Sequence, residues 1–334
     1  MNFDMDMSTE QLTNDFATTS GGTFSPGWPY SIYVSQGFAG VVNVGHDYKP
    51  STNIWEDSTF VSGFDITSAR PMPFAFARAP GRPLNKFATD LHDGHLRIAT
   101  TKTDWSNTNT DDSTTVNQIF VFQVPDSADP DGDEDQGHEM KLVGATEHLG
   151  KKNERITAVR FKGDRAYVVT FEQTDPFYVV DMGNPSAPKV IGELEIPGFS
   201  QYLHELELDG KSYMLGLGRQ DEDIKIGLFD ISDETNPTQS AFHLEKQASS
   251  SAGSDSLAFR YLPISQLLII PKSEWTWTAE GNFDGFIVYS VNSTHIAPVH
   301  ESKFCVCDDL PGGSSHYCHA HHSSSPLLLS TTRR

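Results

Sequence analysis

Four aspartates at alternate positions have the spacing of possible metal ligands. They are Asp129, Asp131, Asp133 and Asp135, within the acidic segment Asp126–Glu139. Calcium takes six to eight oxygen ligands, and alternating carboxylates on a loop can supply several of them. No register of the segment reproduces the EF-hand pattern, because glycine does not fall at the sixth position when the other ligands fit. The segment therefore predicts either a solvated loop or a calcium site, and calcium is the one cofactor that the sequence suggests.

Cysteine and histidine side chains cluster in the last thirty residues. The members of this cluster are Cys305, Cys307, Cys318, His316, His319, His321 and His322. Zinc sites commonly space two cysteines by two to four residues, whereas a single residue separates Cys305 from Cys307. Residues 303–334 also lack the strand periodicity of the chain before them. We therefore interpret residues 303–334 as a disordered tail outside the fold, and its cysteines and histidines as an accidental cluster rather than a zinc site.

Tryptophans mark the long loops of the sequence. They are Trp55, Trp105, Trp275 and Trp277, and loops at equivalent positions of a repeated fold emerge on one face. An indole offers a broad stacking surface and one N–H donor, so the four predict an aromatic surface for a glycan or an extended peptide. The alternative is that each indole pins its loop against the sheet. Asn292 begins the one Asn-x-Ser/Thr sequon in which x is not proline and is a glycosylation site if the protein is exported.

Catalytic motifs are absent from the sequence. It contains no G-x-S-x-G, no H-E-x-x-H and no P-loop. Gly216-Leu217-Gly218 follows a predicted strand, but neither a third glycine nor a helix pattern follows it. His92, His95 and His204 lie singly within or beside hairpins, as structural or solvated histidines do, and Arg97 is expected to pair with an acidic group. The sequence therefore predicts no catalytic residue.

Charge excludes two classes of partner. The formal net charge of −21 opposes binding to the nucleic-acid backbone, which requires clustered lysine and arginine, and binding to an anionic membrane surface. The longest aliphatic runs, Leu267–Ile270 and Leu327–Leu329, are far shorter than the roughly 20 apolar residues of a spanning helix. We therefore expect neither a nucleic-acid partner nor a transmembrane segment. An acidic surface suits solubility, cation binding or a basic partner.

The elements that position these residues form a repeated unit, which begins with two strands around a tight turn. The four versions are Phe87–Thr101, Ile156–Phe171, Leu203–Leu217 and Ser256–Ile270. The turns of the first three read Asp93-Gly94, Gly163-Asp164 and Asp209-Gly210. Aspartate and glycine adopt positive φ at low steric cost, which a two-residue hairpin with right-handed twist requires.

Each hairpin is followed by a loop and a short strand. These strands are Ile119–Val124, Phe177–Met182, Ile226–Ile231 and Phe286–Val291, with an earlier copy at Phe60–Ile66. A four-stranded unit recurring about every 50–60 residues is typical of propeller blades. We therefore predict an all-β fold: a β-propeller of four-stranded antiparallel blades over residues 30–302, with about four to five blades in an incomplete ring. Residues 1–29 are expected to be disordered. A β-sandwich, the alternative, would not explain why hairpin and lone strand recur in the same order.

The phase of the repeat follows from the turn after each lone strand. Asn184-Pro185 stops strand pairing, so Val190–Ile196 is interpreted as the inner strand of the next blade. Tyr30–Ser35 is then an orphan third strand. On this phase the long loops Ser35–Thr59, Lys102–Gln118 and Pro271–Gly285 connect the third strand of a blade to the fourth.

Two stretches, Ala79–Thr101 and Ile156–Phe199, resemble a known family. It comprises secreted-type bacterial and algal proteins with a C-terminal β-propeller domain distantly related to WD40 repeats. The resemblance continues more loosely to Val291, and Asp175–Leu194 is also similar to LVIVD-type repeats of bacterial propellers. It implies a propeller in a longer, exported chain, hence an extracellular or cell-surface location, and no catalytic residues to transfer. Because Met1–Glu10 has no apolar signal core, a cytoplasmic location is the alternative.

Together these observations predict a non-enzymatic binding or scaffolding propeller whose ligand is a protein, a peptide or a glycan. The alternative function is a hydrolase or lyase with its site at the central channel of the propeller. That alternative requires ionisable groups from several blades to meet at the axis with perturbed pKa values.

Overall fold

The computed structural model of this chain describes residues 27–35, 37–49, 54–67, 72–104, 114–125, 138–151, 153–171, 175–274 and 283–303. These residues form five mainly antiparallel sheets that follow one another along the chain. The predicted β-propeller architecture is therefore confirmed, and the described sheets do not close into a ring. No helix of the described segments is long and apolar enough to cross a membrane.

Sheets 1 and 2 are built from the first half of the described chain. Sheet 1 contains β1 (Trp28–Ser35), β2 (Phe38–Lys49), β3 (Ile54–Asp65) and β4 (Met72–Pro80) in that spatial order. Sheet 2 contains β5 (Arg82–Pro83), β6 (Thr89–His92), β7 (His95–Asp104), β8 (Thr114–Gln123) and β10 (Lys141–Ala145). Between β8 and β10 the short β9 (His138–Glu139) returns to pair in parallel with β4. A 3-10 turn at Lys86–Ala88 precedes β6.

Sheets 3, 4 and 5 repeat the same plan. Sheet 3 contains β11 (Arg155–Lys162), β12 (Arg165–Phe171), β13 (Asp175–Asp181) and β14 (Lys189–Ile196). Sheet 4 contains β15 (Phe199–Leu208), β16 (Lys211–Gln220), β17 (Asp223–Asp230) and β18 (Thr238–Glu245). Sheet 5 contains β19 (Ala248–Ser249), β20 (Arg260–Leu262), β21 (Leu267–Glu274), β22 (Phe283–Val291) and β23 (Ile296–Lys303), with 3-10 turns at Ser251–Gly253 and Ser256–Ala258.

Apolar clusters fill each of the four interfaces between consecutive sheets. Val61 and Leu96 join sheets 1 and 2, and Val121 and Val168 join sheets 2 and 3. Phe177 and Phe229 join sheets 3 and 4, with ring centroids 4.9 Å apart, and a fourth cluster joins sheets 4 and 5. One small sheet cannot bury both of its faces, so the sheets stack face to face. As expected, the lone strands β8, β13 and β17 lie in three separate sheets.

The predicted phase of the repeat is wrong by one strand. Lys189–Ile196, which contains the segment assigned to the next blade, pairs with β13 as the outer strand of sheet 3. The Asp181 carboxylate accepts the Gly183 N–H at 3.1 Å and starts a short turn, and a short connection makes consecutive strands antiparallel neighbours. Tyr30–Ser35 is likewise not an orphan third strand, because it belongs to β1, the first strand of a complete sheet.

The corrected phase also changes which strands the long loops connect. Residues predicted as one loop, Ser35–Thr59, are mostly the strands β2 and β3, which pair along their whole length. Trp105 falls in the connection between β7 and β8, and Trp275 and Trp277 fall in the equivalent connection between β21 and β22, so these loops do not join the last two strands of their sheets. Trp55 is not in a loop, because it lies at the start of β3. The strands extend from Trp28 to Lys303, and the domain boundaries at residues 30 and 302 stay predictions.

Candidate functional site

Of the four tryptophans predicted to form a binding surface, Trp55 lies in the described part of the chain. It is at the start of β3, is 64% exposed, and contacts Tyr48 of β2 with ring centroids 5.2 Å apart. Trp105, Trp275 and Trp277 lie outside the described residues, as do Asp129, Asp131, Asp133 and Asp135 and the cysteines and histidines after residue 303. The tryptophan surface and the calcium site therefore stay predictions.

Asn292, the predicted glycosylation site, lies in the turn between β22 and β23. Its side-chain oxygen accepts the N–H groups of Thr294 and His295, each at 2.9 Å. Its side-chain nitrogen is 2.8 Å from the His295 ring. The amide therefore stabilises the turn. Glycosylation of Asn292 stays a prediction.

The first strands of the sheets bring together a different group of residues, which we call the axial cluster. β11 of sheet 3 packs against β15 of sheet 4 and against the 3-10 turn that precedes β6 of sheet 2. These contacts place side chains of four consecutive sheets in one region, although the residues are distant in sequence. The axial cluster consists of Phe87, Arg160, Tyr202, His204, Phe259 and Tyr261.

Aromatic rings make up most of the axial cluster. Phe87, held by the Asn85 side chain that accepts its N–H at 2.9 Å, contacts Tyr202 with ring centroids 5.5 Å apart. Tyr202 lies 4.8 Å from Phe259, and His204 lies 5.1 Å from Phe259 and 5.8 Å from Tyr261. Phe87 lies in the 3-10 turn before β6 of sheet 2 and Tyr202 lies on β15 of sheet 4, and both of these elements pack against β11 of sheet 3.

Two cations lie against the ring of Phe87. The Arg160 guanidinium carbon is 5.1 Å from the ring centroid, and the Lys86 nitrogen is 5.2 Å from it. Arg160 is half-buried and Lys86 is exposed. Within the described ranges neither side chain forms an ion pair with a carboxylate. The axial cluster is therefore a local positive region in a chain whose net charge is −21.

Two buried polar atoms of the axial cluster have no hydrogen-bond partner among the described residues: Nδ1 of His204 and the hydroxyl of Tyr261. Tyr261 is only 8% exposed. Burial lowers the pKa of the His204 imidazole below its ordinary value of 6.5, and Arg160 lowers this pKa further while Glu205 opposes the shift. His204 is therefore uncharged at neutral pH. An unsatisfied buried polar group costs about 1–3 kcal/mol, so these two atoms lower the stability of this part of the fold.

Neighbouring charged groups are paired, in contrast to Arg160. Arg97, expected to pair with an acidic group, donates from Nε to the Asp90 carboxylate at 2.9 Å. Lys162 pairs with Glu205 at 2.5 Å. An open cleft of about 590 Å³ lies between sheets 3 and 4, and there Arg165 bonds Glu234 at 2.5 Å and Asp181 at 2.7 Å. These three cations are neutralised within the fold and need no ligand.

One group of side chains among the described residues has the geometry to hold a metal ion. His92 ends β6, Asp93 follows it in the β6–β7 turn, and Asp164 lies in the β11–β12 turn of the next sheet. A ligating atom of each lies within 4.8 Å of the other two. This group is separate from the axial cluster.

Sequence reasoning missed the axial cluster. It interpreted His204 as a structural or solvated histidine and singled out none of the other five residues. The available signal was positional: Arg160, Tyr202, His204 and Tyr261 all lie on first strands of successive units. Recognising that signal required the correct phase of the repeat.

A protein family and individual known proteins share sequence similarity with this chain. A family model described as "Beta propeller domain" matches residues 1–304. An uncharacterised protein of Archaeoglobus fulgidus is 38% identical over 194 residues, which are 56% of this chain and 27% of that protein. An uncharacterised protein of Methanocaldococcus jannaschii is 43% identical over 163 residues, 48% of this chain and 23% of that protein. The chain thus spans about a quarter of the length of these curated relatives.

Solved structures also resemble the fold. A hypothetical selenium-binding protein from Sulfolobus tokodaii is similar over 82% of this chain and 66% of its own, with a TM-score of 0.47 and 12% sequence identity.

Proposed function

This chain belongs to the beta propeller domain family, and on that premise we propose that it is a non-enzymatic binding propeller whose axial cluster binds an anionic ligand. The observation that carries the proposal is Arg160. It is a half-buried cation without a carboxylate partner in the described ranges, beside buried polar atoms that are also unpartnered. Propeller folds host unrelated functions, so the chemistry of this site, and not the fold, supports a binding function.

The composition of the axial cluster favours a ligand in which a carboxylate group is attached to a ring. Arginine binds carboxylates through two parallel hydrogen bonds, which an isolated positive charge does not offer. The exposed parts of Phe87 and Tyr202 supply flat apolar surface for a ring to stack upon. Among proteins, peptides and glycans, a glycan that contains uronic acids combines both features. The proposed ligand is therefore an acidic glycan, and an aromatic carboxylic acid shares its chemistry.

Isothermal titration calorimetry with matched probes tests this function. The probes are galacturonate oligomers and benzoate, each with its neutral counterpart, galactose oligomers and benzamide. We expect the wild-type protein to bind a carboxylate probe and not its neutral counterpart. Binding of the galacturonate oligomer identifies a glycan ligand, and binding of benzoate alone identifies an aromatic acid.

The matched variants are Arg160→Met and Arg155→Met. Arg155 is an exposed cation on the same strand, β11, outside the axial cluster. Hydrogen bonds to charged groups contribute about 1.5–3 kcal/mol, so Arg160→Met should weaken carboxylate binding about 10- to 100-fold. Arg155→Met should leave it unchanged. Absence of carboxylate binding by the wild type, or equal losses in both variants, would contradict the proposal.

A lyase acting on the same class of ligand is the second candidate function. The observation that favours it is His204, an uncharged imidazole whose ring centroid lies 6.3 Å from that of Tyr202. With the uronate carboxylate held by Arg160, the His204 imidazole would take the proton at C5. The C4–O bond would break, the Tyr202 hydroxyl would protonate the departing oxygen, and a C4=C5 double bond would form. The unsaturated product absorbs ultraviolet light, and a galacturonate oligomer that stays intact during the titrations shows that the protein does not cleave galacturonate by this reaction.

A location outside the cell, expected for the full-length protein, is part of the proposal. Acidic glycans are components of cell surfaces and extracellular matrices, which suits that location. Localisation of the full-length protein by cell fractionation tests it, and recovery in the cytoplasm would contradict it.

A further inference from the structure

We propose that His92, Asp93 and Asp164 form a binding site for a divalent metal ion of the zinc class, which links sheet 2 to sheet 3. His92 and Asp93 lie at the end of β6 and in the β6–β7 turn of sheet 2, and Asp164 lies in the β11–β12 turn of sheet 3. None of them belongs to the axial cluster, so this inference is independent of the proposed function.

The spacing of the donor atoms matches tetrahedral coordination. Zinc bonds nitrogen and oxygen at about 2.0–2.2 Å, which separates tetrahedral ligand atoms by about 3.3–3.6 Å. Nε2 of His92 lies 3.1 Å from Oδ1 of Asp164 and 3.6 Å from Oδ2 of Asp93. All three donor atoms lie within 4.8 Å of one another. Small side-chain rotations are therefore sufficient for a common ion.

The chemistry of the donors selects the class of metal. One imidazole nitrogen and two carboxylate oxygens suit zinc and its first-row neighbours, whereas calcium and magnesium prefer oxygen ligands alone. In the described part of the chain neither carboxylate pairs with a lysine or an arginine side chain. A bound cation would neutralise these two carboxylates.

A buried arginine fixes the two halves of the site relative to each other. Arg97 of β7 donates from Nη1 to the backbone oxygen of Gly163 at 2.6 Å. Gly163 immediately precedes Asp164, so this bond holds the β11–β12 turn beside the end of β6. A contact outside the three ligands therefore holds the β11–β12 turn beside the end of β6 before an ion binds.

Zinc titration with variants of the ligands tests the site. The variants are His92→Asn and Asp164→Asn, with His300→Asn as the control, because His300 is an exposed histidine of sheet 5 far along the chain from the site. All variants keep the cysteines and histidines after residue 303, so any zinc bound there is common to every sample. Calorimetry should show that the wild type and His300→Asn bind one zinc ion more per chain than His92→Asn and Asp164→Asn do. If the two ligand variants still bind this ion, their affinity for it should be at least about tenfold weaker.

Thermal unfolding gives the second measurement. An ion that binds only the folded state raises the midpoint of unfolding, because its ligands are separated in the unfolded chain. We expect zinc to raise the midpoint of the wild type and of His300→Asn more than that of the ligand variants. The metal-free samples should all unfold at similar temperatures, which shows that the substitutions leave the fold intact. Equal zinc stoichiometry, affinity and thermal shift in all four proteins would overturn the proposal.

Discussion

Two arginines on adjacent hairpins lie over phenylalanine rings, and their surroundings differ in one respect. Arg97 of sheet 2 has its guanidinium carbon 5.0 Å from the Phe161 ring centroid, and Arg160 of sheet 3 is 5.1 Å from that of Phe87. Arg97 also bonds the Asp90 carboxylate and the Gly163 backbone oxygen. Arg160 has no carboxylate partner in the described ranges. Both arginines thus contact a ring in a similar way, but only Arg97 is neutralised by a carboxylate.

This difference separates a structural cation from one that is available to a ligand. Arg97 is 3% exposed, and a charge buried to that extent requires a partner, which Asp90 supplies. The contacts of Arg97 give it a role in stability, and no ligand is needed to account for this residue. Arg160 is half-buried, and a cation–π contact offsets only part of the cost of removing it from water. An anion that binds from outside would complete the environment of Arg160 in the way that Asp90 completes that of Arg97.

The largest expected effect is on stability at Arg97. Arg97→Met removes the partner of Asp90 and the bond to Gly163, and breaking a buried ion pair by removing one partner costs about 3–5 kcal/mol. Urea unfolding followed by circular dichroism measures the change in the free energy of unfolding. A loss below about 1 kcal/mol would show that Arg97 does not stabilise the interface between sheets 2 and 3.

A smaller effect is expected in the pH dependence of stability through His204. The pKa of this imidazole is lowered in the folded state, so the unfolded state binds more protons as the pH falls. Its contribution to stability is therefore complete above pH 6.5, the ordinary value, and is lost as the pH falls through the lowered pKa. His204→Phe should unfold with a shallower dependence on pH below that value, measured by urea unfolding at several pH values. An unchanged dependence would contradict this assignment.

The smallest expected effect is on stability at Arg160. Arg160→Met removes a half-buried cation that has no carboxylate partner in the described part of the chain, so the free energy of unfolding should change by less than about 1 kcal/mol. The pKa of His204, followed by nuclear magnetic resonance, should rise in this variant because Arg160 holds it down, and the paired Arg97 exerts no such influence. A loss of stability as large as that of Arg97→Met would show that Arg160 is also structural.

The separate sheets could be predicted from sequence because hairpin and lone strand recur in a fixed order. The phase of the repeat could not be predicted, because the sequence of the turn at Asn184-Pro185 is compatible with two outcomes. The chain after it can fold back within the same sheet, or it can cross to the next sheet. The structure shows close backbone contacts that accompany the observed phase. A Cβ at Gly192 of β14 would lie 2.1 Å from the Glu234 backbone oxygen, and one at Gly144 of β10 would lie 2.2 Å from that of Pro185. These glycines let an outer strand contact the turn of the following sheet.

The axial cluster was beyond sequence reasoning for a different reason. The acidic partner of Arg97 lies on the adjacent strand, seven residues away, so a local rule predicts it. Phe87, Arg160, Tyr202 and Phe259 come from four sheets and meet only when the first strands converge. Whether a hairpin arginine is neutralised depends on that convergence, which no local pattern encodes.

A crystal structure of the protein soaked with a galacturonate oligomer or with benzoate tests the central claim most directly. The account predicts the ligand carboxylate at the Arg160 guanidinium, with donor–acceptor distances of about 2.7–2.9 Å, and its ring stacked on Phe87 or Tyr202. A carboxylate from this chain already paired with Arg160, or ligand bound only away from the axial cluster, would contradict it.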